Sequence, residues 1–506
     1  MSNSIKIDNS KKNILCGLFC QTTVILFSFA NRQIFIILLG KEYLGIHGLF
    51  SNILTLLSLT EMGIGNTFLF FLYKPIHDHD YVRLQSLLCF CKKLFNHVAF
   101  GVLVLGLLVI PVLPLIVDLD IDLREITTYY FIYLMNSVFS YFSVSKSLMI
   151  EACQKNYIVN LFKTVYQMIQ NVGQMILLLF FCDYMLYLLV QIGCTILYNI
   201  SISYKVHRMY PYIFNRSSKN PEEKDKRYIW KMIRSTFIYK AGIILMNNTD
   251  NLLISIIITT VTVGYYSNYK MVESVVNQFV GISIKAITAS LGDLNAEGSK
   301  ERSLNTFRML VFVFHALTAF CSICLLLCLN SFIFLWLGEN YTLEMNVVFA
   351  MIFCFYISNI ITPVWLYRET MGLYQETKYL MLIAALINLI LSVGLGNLVG
   401  LGGIIAATGL ARVCTTVWYE PKILFNKKFD KNVSSYYIQQ ARYIIQTILC
   451  AMFSYCVTRN FPITLTGIIG KIIIVLLVVL TVFTLFNRKT AEYVYAKNII
   501  KAIVDK

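Results

Sequence analysis

The sequence predicts an all-α polytopic membrane protein, and its composition and its long apolar runs lead to this fold class. Hydrophobic residues make up 57% of the 506 residues and charged residues only 14%, and the mean hydropathy is +0.67. Soluble domains carry about 45–50% apolar and about 25% charged residues. The apolar runs are long enough for helices that cross a bilayer, and they lack the alternation of transmembrane β-strands. These observations exclude a soluble enzyme and a disordered chain.

A hydropathy window of about 19 residues predicts about fourteen transmembrane helices, in groups of six, six and two. A polar stretch separates the first two groups, and a basic stretch precedes the last two helices. The predicted spans are 14–39, 44–72, 94–117, 127–150, 158–181, 184–205, 229–258, 265–290, 304–330, 346–367, 379–396, 403–419, 441–458 and 469–486.

The loops between these spans alternate in charge, and the alternation predicts the orientation. Loops on the side of the N-terminus, counted with Lys205, Lys231 and Arg442 at the adjoining span ends, hold 30 Lys and Arg residues, whereas loops on the other side hold 3. Basic residues collect in cytoplasmic loops, so we expect a multi-pass protein with both termini in the cytoplasm. This distribution explains most of the net charge of +16, and we therefore expect no nucleic-acid partner.

An internal repeat predicts two pseudo-symmetric six-helix lobes. A shift of 219 residues places Arg32 on Asn251 and Gly45 on Gly264, and both places combine a long helix, a glycine-bearing turn and another helix. Repeats with an even number of helices run parallel, which is typical of transporters that hold substrate between two lobes. The expected segments are an N-terminal lobe at 1–206, a cytoplasmic linker at 207–228, a C-terminal lobe at 229–420, and a basic loop, two helices and a tail at 421–506.

Basic side chains within the predicted spans are candidates for a substrate site, because charge inside a bilayer is costly. Seven bases, the six candidates below and Lys163, lie within the spans against three acids. The excess of four positive charges favours binding of an anion. Arginine can bind phosphate oxygens through two parallel hydrogen bonds. The candidate bases for an anion-binding cavity are Arg32, Lys240, Lys270, Arg412, Lys146 and Lys285.

The acids and amides within the spans leave more than one interpretation open. Glu61 or Asp250 binds H⁺ or Na⁺ and couples transport to its gradient, or each is a permanent partner of a base. Glu273 lies one helical turn from Lys270, which favours a local ion pair. Amides either join helices or contact sugars in a wet cavity. The candidate sugar contacts are Asn52, Asn251 and Asn277.

Enzyme chemistry is not indicated by the sequence. The predicted outer loops are short and hold no paired carboxylates for acid–base catalysis, and no Walker A pattern occurs. Cys321 and Cys324 form a C-x-x-C pattern inside an apolar run, where packing is the simpler explanation. We therefore expect no catalytic residue, no metal site and no bound cofactor apart from possible coupling to a gradient of H⁺ or Na⁺.

Short motifs along the chain resemble those of bacterial oligosaccharide flippases, the Wzx-type polysaccharide transport proteins of the MATE/MOP superfamily. Each motif is short, and their order and spacing carry the resemblance from about residue 12 to about residue 430. The motifs are GKEYLG at 40–45, GLFSNI at 48–53, LTEMGIG at 59–65, LYKP at 72–75, YPY at 210–212, TDN at 249–251, YSNY at 266–269, WLG at 336–338 and EP at 420–421.

The resemblance implies a V-shaped, two-lobed bundle in the bacterial cytoplasmic membrane. Such a protein flips undecaprenyl-pyrophosphate-linked oligosaccharide to the outer leaflet, for assembly of O-antigen, capsule or exopolysaccharide with other assembly proteins. Arg32 and Lys270 occupy positions where related lipid flippases place cavity bases, and the last two helices are expected to form a groove for the polyprenyl tail. An ion-coupled drug exporter of the same fold, a membrane glycan polymerase or glycosyltransferase, and a scaffold without transport remain alternatives.

Overall fold

The computed structural model describes residues 3–58, 64–117, 121–153, 155–211, 221–296, 300–370, 373, 377 and 379–504. Within these ranges the chain is helical and contains no strand, which confirms the all-α fold class. The helices are α1 Asn3–Leu57, α2 Ile64–His77, α3 Tyr81–Val109, α4 Leu113–Ile116, α5 Leu123–Ser140, α6 Val144–Ala152, α7 Asn156–Phe181, α8 Tyr184–Met209, α9 Glu223–Ile257, α10 Thr260–Ala296, α11 Lys300–Leu337, α12 Met345–Ile360, α13 Thr362–Thr370, α14 Leu380–Val399, α15 Leu401–Cys414, α16 Thr416–Leu424, α17 Ser434–Thr458, α18 Leu465–Asn487 and α19 Ala491–Val504.

Each predicted span lies on one of these helices or is divided between two of them. Among the described residues, 10 helical stretches are long and apolar enough to cross a membrane. The chain is therefore a multi-pass membrane protein, and the total of fourteen spans stays a prediction. The predicted span 127–150 is divided by a 3-10 turn at Tyr141–Ser143, and α19 follows the last predicted span.

A single non-helical residue, Gly40, divides α1 into two helical parts. The first part holds the first predicted span and the second part holds the start of the second span. Gly40 has a φ of 84° and a ψ of −174°, whereas its neighbours are helical. Side chains rarely allow this positive φ, and glycine adopts it without steric cost. The backbone therefore kinks at Gly40, where the sequence predicts a short turn between two helices.

Contacts within the chain divide it into two compact units, Met1–Gly264 and Tyr265–Lys506. In the first, here called unit 1, α1 packs against α7 and α9, α7 and α5 pack against α8, and α2 packs against α3 and α6. Arg83 in α3 donates two hydrogen bonds to Asp225 at 2.9 and 3.1 Å, which ties α3 to the first turn of α9. The predicted lobes rest on the sequence repeat rather than on contacts, and they stay a prediction.

In the second, here called unit 2, α11 is the central helix. It packs against α12, α17, α18 and α19, while α14 and α15 form a hairpin whose second helix packs on α12. Near its N-terminal end a cluster of five buried aromatic rings surrounds α11: Phe307, Tyr367, Phe425, Phe429 and Tyr436. The same buried cluster includes Tyr443 and Cys450 of α17 and Val475 and Phe483 of α18, so the predicted spans 441–458 and 469–486 pack against the same core as α11.

The two glycines that the repeat aligns lie against each other in unit 1. A Cβ added to Gly45 would lie 2.3 Å from the backbone oxygen of Thr260. A Cβ added to Gly264 would lie 3.0 Å from the nitrogen of Gly45. Only hydrogen fits between these backbones, so α1 and the start of α10 approach at a distance that requires glycine.

Replacing Gly45 with Ala should therefore lower the free energy of unfolding by about 1–3 kcal/mol, the usual cost of an overpacked site. Thermal unfolding of the purified protein in detergent measures this change. Gly193→Ala is the matched control, because nothing lies within 4 Å of its added Cβ. Equal midpoints for both variants would show that the close approach does not constrain the fold.

Candidate functional site

Arg32 lies in α1 with its guanidinium half-buried among aromatic rings of unit 1. It interacts electrostatically with the hydroxyl groups of Tyr187, Tyr133 and Tyr184, and with the ring of His47. The Nδ1 atom of His47 lies 3.3 Å from the Tyr184 hydroxyl, which places this ring at the same site. The guanidinium is positively charged, and its sign makes this site a candidate for binding an anion.

Asn31, the residue before Arg32, joins three helices through hydrogen bonds from its side-chain amide. Asn31 donates to Asn171 at 3.2 Å, to Gln174 at 3.0 Å and to the Tyr187 hydroxyl at 3.2 Å. Gln174 in turn donates to the backbone oxygen of Tyr187 at 3.1 Å. These amides are buried, and they join α1, α7 and α8 as interhelical hydrogen bonds do in membranes. Sequence reasoning missed Asn31, because its partners are 140 residues or more away.

A polar cavity of about 490 Å³ lies in unit 1 between α5, α6, α7 and α8. Thirteen of its seventeen lining residues carry a side-chain nitrogen or oxygen. Part of the lining is bound within the protein: Thr195 donates to Asn136 at 2.7 Å, and Asn199 donates to the backbone oxygen of Phe139 at 2.7 Å. The sequence places the amides of Asn136, Gln167 and Gln170 within predicted spans, but it does not indicate that they line one cavity.

Lys146 of α6 does not line this cavity, although its neighbours Val144, Ser147, Leu148 and Glu151 do. Its ammonium group is half-buried and is repelled by that of Lys92 in α3. Two further predicted bases, Lys240 and Lys285, have side chains outside the described residues, as does the whole of Glu61. The structure therefore describes part of the predicted cationic set.

Three further predicted residues of unit 1 differ in their surroundings. Asn52 donates to the backbone oxygen of Gly48 at 2.7 Å, so its amide group is engaged within its own helix. Asp250 and Asn251 are buried in α9, with 6% and 7% of their surfaces exposed. The Oδ1 atom of Asn251 makes no hydrogen bond to a described residue, which leaves it available to water or to a ligand.

In unit 2, Lys270 and Glu273 form the ion pair that their spacing predicts. The ammonium group lies 3.0 Å from both carboxylate oxygens, and the lysine side chain is 46% exposed. Asn277 lies one turn on and accepts a hydrogen bond from Asn359 at 3.2 Å. Lys270, which is predicted to bind substrate, is therefore paired with the carboxylate of Glu273, and this pairing reduces the positive charge that it offers to an anion.

Arg412 belongs to a buried charge cluster of unit 2 that the sequence did not predict. Arg368 donates to Glu420 at 2.6 Å, and their side chains are only 5% and 1% exposed. Arg412 is 8% exposed, is attracted to Glu420, and stacks over Trp365 at 5.7 Å from the ring centre. The predicted spans place Arg368 in a cytoplasmic loop, directly after the span 346–367. The sequence does not indicate its pairing with Glu420, because the two residues are 52 positions apart.

An apolar groove of about 380 Å³ lies between α11, α12 and α17 of unit 2. Most of its lining is aliphatic or aromatic, including Leu326, Phe353, Ile357 and Ile448. It lies beside a buried polar chain in which Tyr356, a lining residue, contacts the ring of His315. The helix predicted over 441–458 contributes Ile444, Thr447, Ile448 and Ala451 to this groove. The groove for a polyprenyl tail that the resemblance implies for the last two helices stays a prediction.

Replacing Glu420 with Ala should lower the free energy of unfolding by about 3–5 kcal/mol, because it leaves buried arginines without their counter-charge. Thermal unfolding in detergent measures the loss. Lys300→Ala is the control: it breaks an exposed ion pair with Asp430, and such pairs contribute about 0–1 kcal/mol. An E420A protein as stable as K300A would contradict a structural role for the cluster.

Compared by sequence, the chain matches no protein-family model and no curated protein. Compared by structure, it is similar to the lipid II flippase MurJ in an inward closed conformation, with a TM-score of 0.71 and 14% identity over 94% of this chain and 99% of that one.

The chain is also similar to MATE transporters. An inward-facing multidrug resistance transporter of the MOP superfamily has a TM-score of 0.59 and 11% identity, over 80% of this chain and 97% of that one. The MATE multidrug transporter DinF-BH has a TM-score of 0.59 and 15% identity, over 84% and 97%. The chain therefore has the fold that MurJ shares with the MATE transporters of the MOP superfamily.

Proposed function

We propose that this protein is a transporter that flips undecaprenyl-pyrophosphate-linked oligosaccharide from the cytoplasmic to the outer leaflet, for assembly of a surface polysaccharide. The observation that carries the proposal is Arg32, a guanidinium held in a polar, aromatic-lined place within a membrane-spanning helix. A charge inside a bilayer is costly and marks a functional site. Its sign selects an anion, and a pyrophosphate is the anion of this substrate class.

The lipid part of such a substrate also has a suitable place. The apolar groove of unit 2 offers aliphatic and aromatic side chains between three spanning helices, which suits a polyprenyl chain. A substrate with a charged head and a long hydrocarbon tail needs both kinds of surface in one protein. The fold is similar to that of MurJ, described as a lipid II flippase, so this fold admits a lipid-linked substrate.

In the proposed mechanism the protein opens alternately to the two sides of the membrane around fixed binding groups. Arg32 and Lys240 hold the pyrophosphate, with Lys146 and Lys285 as further candidates. Lys270 and Arg412 belong to the same predicted set, but each lies near a carboxylate that reduces its positive charge toward a ligand. Glu61 and Asp250 bind a coupling ion or pair with the bases. The protein acts in the bacterial cytoplasmic membrane with both termini in the cytoplasm, beside other polysaccharide-assembly proteins.

The main alternative is an ion-coupled multidrug exporter, since DinF-BH and other neighbours are multidrug transporters. A site for cationic drugs needs negative potential, and the excess of bases within the spans opposes this. A glycan polymerase or glycosyltransferase is less favoured because no paired carboxylates stand in the outer loops. A scaffold without transport would not need a guanidinium within a spanning helix.

Deleting the gene should cause completed oligosaccharide to accumulate on its polyprenyl pyrophosphate at the cytoplasmic face, with loss of surface polysaccharide. Extraction and mass analysis of the lipid-linked glycans measure this. Complementation with Arg32→Ala should restore less than about a tenth of the flipping rate, the loss expected for one hydrogen-bonded charge. Arg32→Lys should lie between R32A and the wild type, because it keeps the charge but loses the bidentate geometry.

The control for these variants is Arg459→Ala, which removes an exposed arginine from a loop. It should complement fully at equal protein level. Normal flipping by R32A would reject the anion site, and normal glycan lipids in the deletion strain with new sensitivity to cationic drugs would favour the exporter.

Energy coupling is tested by collapsing the proton and sodium gradients separately during flipping in membrane vesicles. If Asp250 or Glu61 carries the coupling ion, one of the two treatments should reduce the rate several-fold, and Asp250→Asn or Glu61→Gln should remove that dependence. A rate that is indifferent to both gradients would reject ion coupling and leave these acids as partners of the bases.

A further inference from the structure

The lining of the polar cavity of unit 1 lies mostly within the predicted spans 127–150, 158–181 and 184–205, where the bilayer offers no hydrogen-bond partner. Unbonded polar groups in hydrocarbon cost several kcal/mol each, so such a cavity must hold water or a polar ligand. No hydrogen bond joins the amides of Gln167 and Gln170 to another residue that the structure describes. The Oδ1 atom of Asn199 is buried and likewise makes no hydrogen bond to a described residue. These groups remain for an occupant.

The charges of the lining indicate a neutral occupant. Glu151 and Lys163 both line the cavity and attract each other, so their charges balance. Among the described lining residues these two carry the formal charges. A cationic drug requires an excess of acids and a free anion an excess of bases. Neither excess is present in this cavity.

The hydrogen-bonding groups suit an occupant rich in hydroxyl groups. Side-chain amides both donate and accept hydrogen bonds, and so do the hydroxyls of serine, threonine and tyrosine. Tyr166 and Tyr198 add a pair of rings in the lining, with centres 6.2 Å apart and planes at 76°. Aromatic rings offer an apolar surface to the C–H face of a sugar ring. The hydroxyl groups of these two tyrosines bond within the protein, to Ser201 and Ser147 respectively, and this holds the rings in place.

The cavity is also connected to the site of Arg32. Gln191 lines the cavity and interacts with the Tyr133 hydroxyl, which itself interacts with Arg32. Tyr187, another neighbour of Arg32, precedes Gln191 by four residues in α8, about 6 Å of helix rise. An anion at Arg32 and a neutral polar group in the cavity would therefore lie about one helical turn apart along α8.

From this geometry we propose that the cavity binds the neutral, hydroxyl-rich glycan of the transported lipid, next to the guanidinium that takes its anion. The inference rests on the proposed function and adds a sugar site to it. This site is built by α5, α6, α7 and α8 and is distinct from the expected contacts Asn52, Asn251 and Asn277. Its size lies within the range of about 300–1,000 Å³ for ligand pockets.

The test compares two probes on the purified full-length protein in lipid nanodiscs: undecaprenyl pyrophosphate, and the lipid-linked glycan fraction extracted from the host. The wild type should bind the glycan-bearing lipid more tightly. The double variant Gln167→Leu, Gln170→Leu should bind it about tenfold more weakly, because two hydrogen-bonding amides are lost. Its affinity for undecaprenyl pyrophosphate should not change, whereas Arg32→Ala should weaken both.

Asn397→Leu is the control, because this exposed amide is bonded within its own helix away from the cavity. Gln170→Ala is a smaller change that tests the same site if the double variant does not fold. Unchanged binding of both probes by the cavity variants would show that the cavity holds only water. Equal affinity of the wild type for both probes would also overturn the sugar site, while binding of neither probe would instead overturn the proposed function.

Discussion

The bilayer core supplies no hydrogen-bond partner, so each polar side chain in the spanning helices depends on the protein or on water that enters it. This constraint explains the arrangement of unit 1. Asn31 of α1 donates to Asn171 and Gln174 of α7 and to Tyr187 of α8, and these bonds hold the helix that carries Arg32. The guanidinium next to this amide cluster is held among tyrosines, so its position is set by packing and not by a flexible loop.

The same constraint explains why several charged residues of unit 2 lie beside a residue of opposite charge. Arg368 and Glu420 neutralise each other in a buried pair, and Arg412 is attracted to the same carboxylate, so this cluster stabilises unit 2. Lys270 is paired with Glu273 within one helix. Arg32 lies among the hydroxyl groups of Tyr133, Tyr184 and Tyr187. A count of bases and acids in the sequence treats all these residues alike, whereas the structure identifies bases that a carboxylate neutralises.

The proposed substrate has three chemical parts, and the two units offer surfaces that suit each of them. An anion suits Arg32, a hydroxyl-rich glycan suits the polar cavity, and a polyprenyl chain suits the apolar groove of α11, α12 and α17. Similarity to MurJ and to MATE transporters establishes the fold, and the fold alone does not choose between lipid-linked and drug substrates. The balance of charge and hydrogen-bonding groups at each surface supports the lipid-linked substrate.

The sequence by itself determined the helices, the multi-pass class, and the pairing of Lys270 with Glu273. Helices follow from runs of apolar residues, and an i,i+3 pair follows from helical spacing, so both depend on neighbours in the chain. The alignment of Gly45 with Gly264 also came from the sequence, but their direct contact did not. Only the tertiary structure decided that Arg368 meets Glu420, that Asn31 meets Asn171, and that thirteen polar residues of α5 to α8 and their connections line one cavity. These contacts join residues far apart in the chain, and periodicity within a single helix carries no information about which distant helix faces it.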